Sequence, residues 1–208
     1  RANSFAQFRE KLITFKQALE KHTGKKVEND RRREEIHSHN QQRARVRELY
    51  ELRKEDPPLL SGSETLKIMI ALMCLPIDEG TEMLRDIIAE VKTRKNGPGH
   101  KDARLMVWGS PLTETNLIDM IENLNAHVVM DDMCVGSRHF WADVPVTDDP
   151  LDGIVKRYLE DITCPRTFRE SAKSFDAEME QRFGYLKTFA ADWKVDGVLL
   201  QSVKYCDT

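Results

Sequence analysis

Four cysteines, a pair of adjacent aspartates and an arginine in a short turn are the residues here whose chemistry could exceed packing. Cys74, Cys134, Cys164 and Cys206 are widely spaced, with no Cys-x-x-Cys pair. Cysteine thiolates are the ligands of iron–sulfur clusters, and the ligands of one cluster can come from separate loops that converge on one crevice. A free cysteine is also a small packed hydrophobe, the reading that its apolar helical surroundings give Cys74. The stretch Asp131-Asp132-Met133-Cys134-Val135-Gly136-Ser137-Arg138-His139 gathers two carboxylates, a thiol, a hydroxyl and a guanidinium. Its plain reading is structural: the aspartates cap a turn, Arg138 pairs with them, and Gly136 serves tight loop geometry. Its chemical reading is a metal or cluster site, or an anion held by Ser137 and Arg138, because a guanidinium fork suits carboxylates and phosphates. On residue types and spacing alone, both stay open. His37 and His39 are expected on a solvated helix flank and not as ligands. The basic run Arg31-Arg32-Arg33 reads as a solvated face, and the Phe and Met stripes of the helices read as core.

The elements that would position these groups follow from hydrophobic period. Phe5, Phe8, Leu12, Phe15 and Leu19 predict a helix over 3–21, stopped at Gly24. Asn29 is the expected N-cap of a charged helix from Asp30 to Glu55, ended by Pro57-Pro58. Ser61 and Glu64 have capping-box spacing for a third helix, which Pro76 breaks, and a fourth helix spans 78–95. After the turn Asn96-Gly97-Pro98-Gly99 the period changes. Strands are predicted at 104–108, 127–130 and 198–200, the first and third buried, and helices at 114–125, 150–160 and 171–194. Strand, helix, strand, helix, strand predicts a parallel sheet with covering helices. The fold class is therefore α/β, with a helical region over 1–98 and an α/β lobe over 99–208. In such sheets ligands bind beyond the carboxyl ends of the strands. That places Gly109-Ser110-Pro111, Asp131 to His139, and Ser202 to Asp207 at one edge.

Composition narrows the function classes. Of 208 residues, 40% are hydrophobic and 32% charged, a globular balance. A net charge of −3 argues against a dedicated nucleic-acid binder. No apolar run approaches the ~18 residues of a membrane span, and no signal-peptide pattern is visible. Four dispersed cysteines fit a reduced, cytoplasmic protein. Residues 1–56 hold 15 Lys/Arg against 10 Asp/Glu, a balance of +5, which leaves −8 for the rest. That asymmetry suggests two segments with different jobs. The chain opens directly in helix and closes just after a strand, so it is expected to be a piece of something longer, with its lobe incomplete at the C-terminal end.

The order of several motifs is more specific than any one of them. Gly109-Ser110-Pro111 precedes Asp131 to Phe140. Asp149-Pro150-Leu151, Arg157-Tyr158-Leu159 and Cys164-Pro165 follow, and Val195-Asp196-Gly197-Val198 leads into Lys204-Tyr205-Cys206-Asp207. In this order they resemble the benzoyl-CoA reductase / 2-hydroxyacyl-CoA dehydratase family, over residues 100–208 above all. The resemblance implies a flavodoxin-like lobe, here partial, from the middle of a catalytic subunit. It implies a [4Fe-4S] cluster held by cysteines of two lobes and absent from this chain alone. The implied partners are a related second catalytic subunit, an ATP-hydrolysing iron–sulfur activator that delivers one low-potential electron, and a CoA-thioester substrate. Cys206 matches the second-lobe cluster ligand. Cys134 matches a cysteine of the strand-exit loop, and Cys164 the first cysteine of a Pro-Cys-Pro-Cys-like loop whose second cysteine is missing here. Ser137 and Arg138 fall in the loop expected to face CoA or substrate. The details lean toward a reductase, with a dehydratase as the alternative enzyme. A non-catalytic assembly subunit, docking a partner through its basic helical arm, is the alternative outside enzymes.

Overall fold

The computed structural model describes residues 2–165, 167 and 172–203. Four helices come first: α1 (Ala2–Thr23), α2 (Asn29–Glu51), α3 (Gly62–Cys74) and α4 (Ile77–Thr93). Then follow β1 (Ala103–Gly109), α5 (Asn116–Asn123), β2 (Ala126–Asp132), the single turn α6 (Ser137–Phe140), α7 (Pro150–Lys156), a π-helical turn (Arg157–Asp161), α8 (Phe175–Asp192) and β3 (Gly197–Gln201). The strands form one parallel sheet in the order β2-β1-β3, the order with which flavodoxin-like sheets begin. The expected fold class, α/β with helices preceding a parallel sheet, is observed. No helix among the described residues is long and apolar enough to cross a membrane.

The two-residue period of a strand sends neighbours to opposite faces. Met106 therefore joins a core with Leu49 and Tyr50 of α2, Met69 of α3, Leu84 of α4 and Phe189 of α8. Val107 joins a second core with Leu66, Ile118, Ile121 and Val128. Two buried arginines fasten the helices to the sheet. Arg53 donates to the Val128 carbonyl at 2.6 Å, and Arg104 donates to the carbonyls of Arg53, Glu55 and Trp193 at 2.9–3.1 Å.

Several boundaries differ from expectation. The capping box of α3 is present: Glu64 N–H donates to Ser61 Oγ and Ser61 N–H to the Glu64 carboxylate. Asn29, however, does not cap α2. Glu28 holds the cap position, and Asn29 accepts from Arg32 instead. α2 ends at Glu51, well before Pro57, because the N–H groups of Leu52, Arg53 and Lys54 turn back to the carbonyls three residues earlier. That tighter winding carries Arg53 inward. The helix expected to run to Glu160 becomes a π-helical turn at Arg157, and α8 starts at Phe175 on a Ser174 cap. β3 is not buried throughout: Val198 and Leu200 are exposed while Leu199 faces in. Phe15 and Phe175 are also exposed rather than core. Cys74, expected to be packed, is exposed at the last residue of α3.

Candidate functional site at the carboxyl edge of the sheet

The two aspartates that end β2 part company, as neighbours in a strand must. Asp131 turns toward α2. It accepts from the Tyr50 hydroxyl at 2.5 Å and the Ser137 N–H at 2.9 Å, and lies 3.7 Å from Arg53 Nη1. Burial raises its pKa, against the pull of Arg53 and the Tyr50 hydroxyl. Asp132 is fully buried and receives Arg138 as a fork, Nε to Oδ1 and Nη2 to Oδ2, both at 2.9 Å. The Tyr185 hydroxyl of α8 donates to the same Oδ2 at 2.8 Å. Burial works against the Arg138 cation, but the Asp132 carboxylate outweighs it and holds the guanidinium pKa above its ordinary value. Burial, and then Asp132, push the Tyr185 phenol upward as well.

A cavity of about 300 Å³ opens between the carboxyl ends of β1 and β3, where the strand order reverses. Such reversals are the usual ligand crevices of open α/β sheets. Trp108, Gly109, Arg138, Pro165, Phe183 and Gln201 line it. Gly109 is required there. Its φ is +141°, and a Cβ would fall 1.8 Å from the Gln201 carbonyl oxygen. Two wall groups, Trp108 Nε1 and Gln201 Oε1, are buried with no hydrogen-bond partner among the described residues. Buried polar groups are nearly always satisfied, so a donor and an acceptor left open in one cavity suit a polar ligand.

The residues singled out in the sequence have the following places. Arg138 Nη1 donates to the Gly109 carbonyl at 3.3 Å, and Cys134 Sγ lies 3.9 Å from the same nitrogen. Cys134 is exposed and Cys164 half-buried. Ser137 is buried, and its hydroxyl donates to the Asp131 carbonyl at 2.7 Å, so its bonds hold the loop. Lys204, Tyr205, Cys206 and Asp207 lie outside the described residues. Among the described residues no three His, Cys, Asp or Glu side chains are grouped to hold a metal ion. The donors still fit a thiolate-held cluster in part: the Cys134 thiol lies against Arg138, a counter-charge such a cluster would use, beside a cavity with open polar groups. Sequence reading missed Trp108, Tyr185 and Gln201. Trp108 carried a signal, as the last side chain before a Gly-Ser-Pro strand exit. Tyr185 sits in an apolar helical stripe and carried none.

The whole chain, residues 1–208, matches the model of the family described as "2-hydroxyglutaryl-CoA dehydratase, D-component". One of the subunits of benzoyl-CoA reductase from Thauera aromatica is 25% identical over 198 residues, 94% of this chain and 50% of that protein. The (R)-phenyllactyl-CoA dehydratase beta subunit of Clostridium sporogenes is 23% identical over 189 residues, 91% of this chain and 48% of that protein. A putative dehydratase subunit of Escherichia coli (strain K12), YjiM, is 24% identical over 210 residues, 99% of this chain and 52% of that protein. The chain spans about half the length of these relatives.

Proposed function

This chain belongs to the 2-hydroxyglutaryl-CoA dehydratase, D-component, family, and from that premise we propose that it is part of a catalytic subunit that reduces a CoA thioester in the manner of a benzoyl-CoA reductase. The observation that carries the reading is the cavity at the strand reversal, lined by Arg138 with Cys134 Sγ 3.9 Å from its Nη1, beside unpartnered Trp108 and Gln201. Cys206, Cys134 and Cys164 are the residues of this chain that would hold a [4Fe-4S] cluster, together with cysteines from elsewhere in the whole protein. When bound, such a cluster supplies one-electron chemistry at potentials that reach about −700 mV.

The chain's own side chains do the rest. Asp132 fixes Arg138, so its charge is already aimed when substrate arrives and needs no reordering. Trp108 and Gln201 offer one donor and one acceptor to a polar substrate group. Phe183 and Pro165 keep water away, which protects a low-potential reaction. The working partners are a related second subunit, since the relatives are named as subunits, an ATP-hydrolysing activator that delivers the electron, and the CoA thioester. A dehydratase, expelling water from a 2-hydroxyacyl-CoA, is the second reading, favoured by the two relatives named as dehydratase subunits.

The test is the full-length protein purified without oxygen, with iron and acid-labile sulfide measured for Cys206→Ala beside Cys74→Ala. The reading expects cluster and activity lost in the first and near-normal iron in the second. Full iron occupancy in Cys206→Ala overturns the cluster assignment. Assaying the intact enzyme on benzoyl-CoA and on a 2-hydroxyacyl-CoA separates the two reactions.

A further inference from the structure

A second cavity, an open groove of about 330 Å³, lies on the other side of α6, bordered by α2, α7 and the π-helical turn. Its charged lining is Arg32, Glu35, His39, Arg43 and His139. Arg43 is only 7% exposed. Its Nη1 donates to the Asn40 side chain at 2.8 Å, but its Nε, like that of Arg32, is buried with no partner among the described residues. Arg157 stands behind, 1% exposed, and gives its nitrogens to the Ala142 and His139 carbonyls. Neither Arg43 nor Arg157 has a carboxylate within ion-pair distance among the described residues. The one acid of the lining, Glu35, is already taken by Arg31 at 2.6 Å. Another acid whose charge acts on Arg43, Asp143, is held in a fork by Arg47.

Two buried guanidinium groups without counter-ions are an unusual arrangement, because an uncompensated buried charge is costly. The field shows on its neighbours. Burial, then Arg157, holds the Arg43 guanidinium down at about 10. Burial, then the same two arginines, holds the His39 and His139 imidazoles below the ordinary histidine range. The apolar part of the lining is Ile36 on α2 itself and, from the other elements, Val144, Ile154 and Tyr158.

We propose that this cavity binds a small organic anion, its carboxylate or phosphate head against Arg43 and Arg32 and its apolar tail on Ile36, Val144 and Ile154. A planar guanidinium with an open Nε is matched to an oxyanion edge. A few convergent polar groups on an apolar wall are the usual make-up of a small-molecule site. The site shares no residue with the cavity at the strand reversal, so it stands or falls apart from the cluster reading.

The experiment is calorimetric titration of the full-length protein with hexanoate, hexyl phosphate, inorganic phosphate and hexylammonium. One saturable site for hexanoate or hexyl phosphate is expected, and the tighter of the two identifies the head group. Inorganic phosphate should bind more weakly than hexyl phosphate, and hexylammonium not at all. Arg43→Lys, which keeps the charge and removes the fork, should weaken binding by about tenfold or more. Arg32→Gln, at the half-exposed rim, should do the same with an unchanged circular dichroism spectrum, and it decides the matter where Arg43→Lys fails to fold. Absence of saturable binding by both tailed anions overturns the proposal. So does binding unaffected by Arg32→Gln, equal binding of hexylammonium, or inorganic phosphate binding as tightly as hexyl phosphate.

Discussion

Replacing Asp132 with asparagine removes one charge from a pair that water barely reaches. The Asp132 side chain is 0% exposed and that of Arg138 10%. The carboxylate accepts three hydrogen bonds, two from Arg138 at 2.9 Å and one from Tyr185 at 2.8 Å. An asparagine offers one oxygen to that set and turns its amide N–H₂ toward a donor. Two unit charges about 4 Å apart interact by about 4 kcal/mol at an effective dielectric constant of about 20. That is the size of the ~3–5 kcal/mol usually lost when one partner of a buried pair is removed. Set against a typical domain stability of about 5–15 kcal/mol, Asp132→Asn should lower the urea midpoint severely. Arg138→Gln should cost a similar amount. The double variant restores a neutral, hydrogen-bonding pair, so it should be more stable than the sum of the singles by about 2 kcal/mol. The assay is a double-mutant cycle by urea unfolding, with the m-values compared. Single losses below about 1 kcal/mol, or additivity within about 0.5 kcal/mol, would refute a desolvated, coupled pair.

Other outcomes follow from the same geometry. Gly109→Ala should cost about 3 kcal/mol or more, because it forces a β-carbon onto the Gln201 carbonyl at a positive φ; an unfolding curve like wild type counts against the β1–β3 register. Tyr50→Phe removes the hydroxyl that donates to buried Asp131 and should cost about 1–3 kcal/mol, measured by thermal or urea unfolding. Glu64 offers a pH test. Burial would raise its pKa, but Arg94 and Ser61 outweigh that and hold it down at about 2, against an ordinary 4.5. A depressed carboxylate stabilises the fold fully above 4.5 and loses that contribution as pH falls toward 2. The side chain is 40% exposed, so Glu64→Gln should cost only about 1 kcal/mol at neutral pH. The gap to wild type should close on acidification, and a gap independent of pH is the contrary result.

Local chemistry made some of this legible in the sequence. The Ser61–Glu64 cap and the Gly-Ser-Pro exit of β1 each use side chains within a few residues, so spacing reveals them. The strand-exit rule by itself puts Arg138 beside Gly109. What was hidden depends on distant partners. Nothing near Arg53 says that it points inward; its acceptor, the Val128 carbonyl, is 75 residues away. α2 stops at Glu51 because that inward turn competes with further helix, an effect Pro57 does not report. The order β2-β1-β3 and the meeting of Trp108 with Gln201 are consequences of topology, which a linear pattern does not encode. The histidine at position 39 is exposed, as its solvated flank implied, and it also edges a cavity, because the wall opposite it is supplied by α6 and the π-helical turn. The thiol at position 206, the strongest expectation drawn from motif order, falls outside the described residues.

The four residues of α6 form a partition between two rooms. Arg138 lines one cavity and its immediate neighbour His139 lines the other. The partition is pinned from behind by Arg157 on the His139 carbonyl and by Arg47 on the Phe140 and Trp141 carbonyls. One four-residue turn thus supplies a wall to each room, and the arginines that pin it set the shape of both at once.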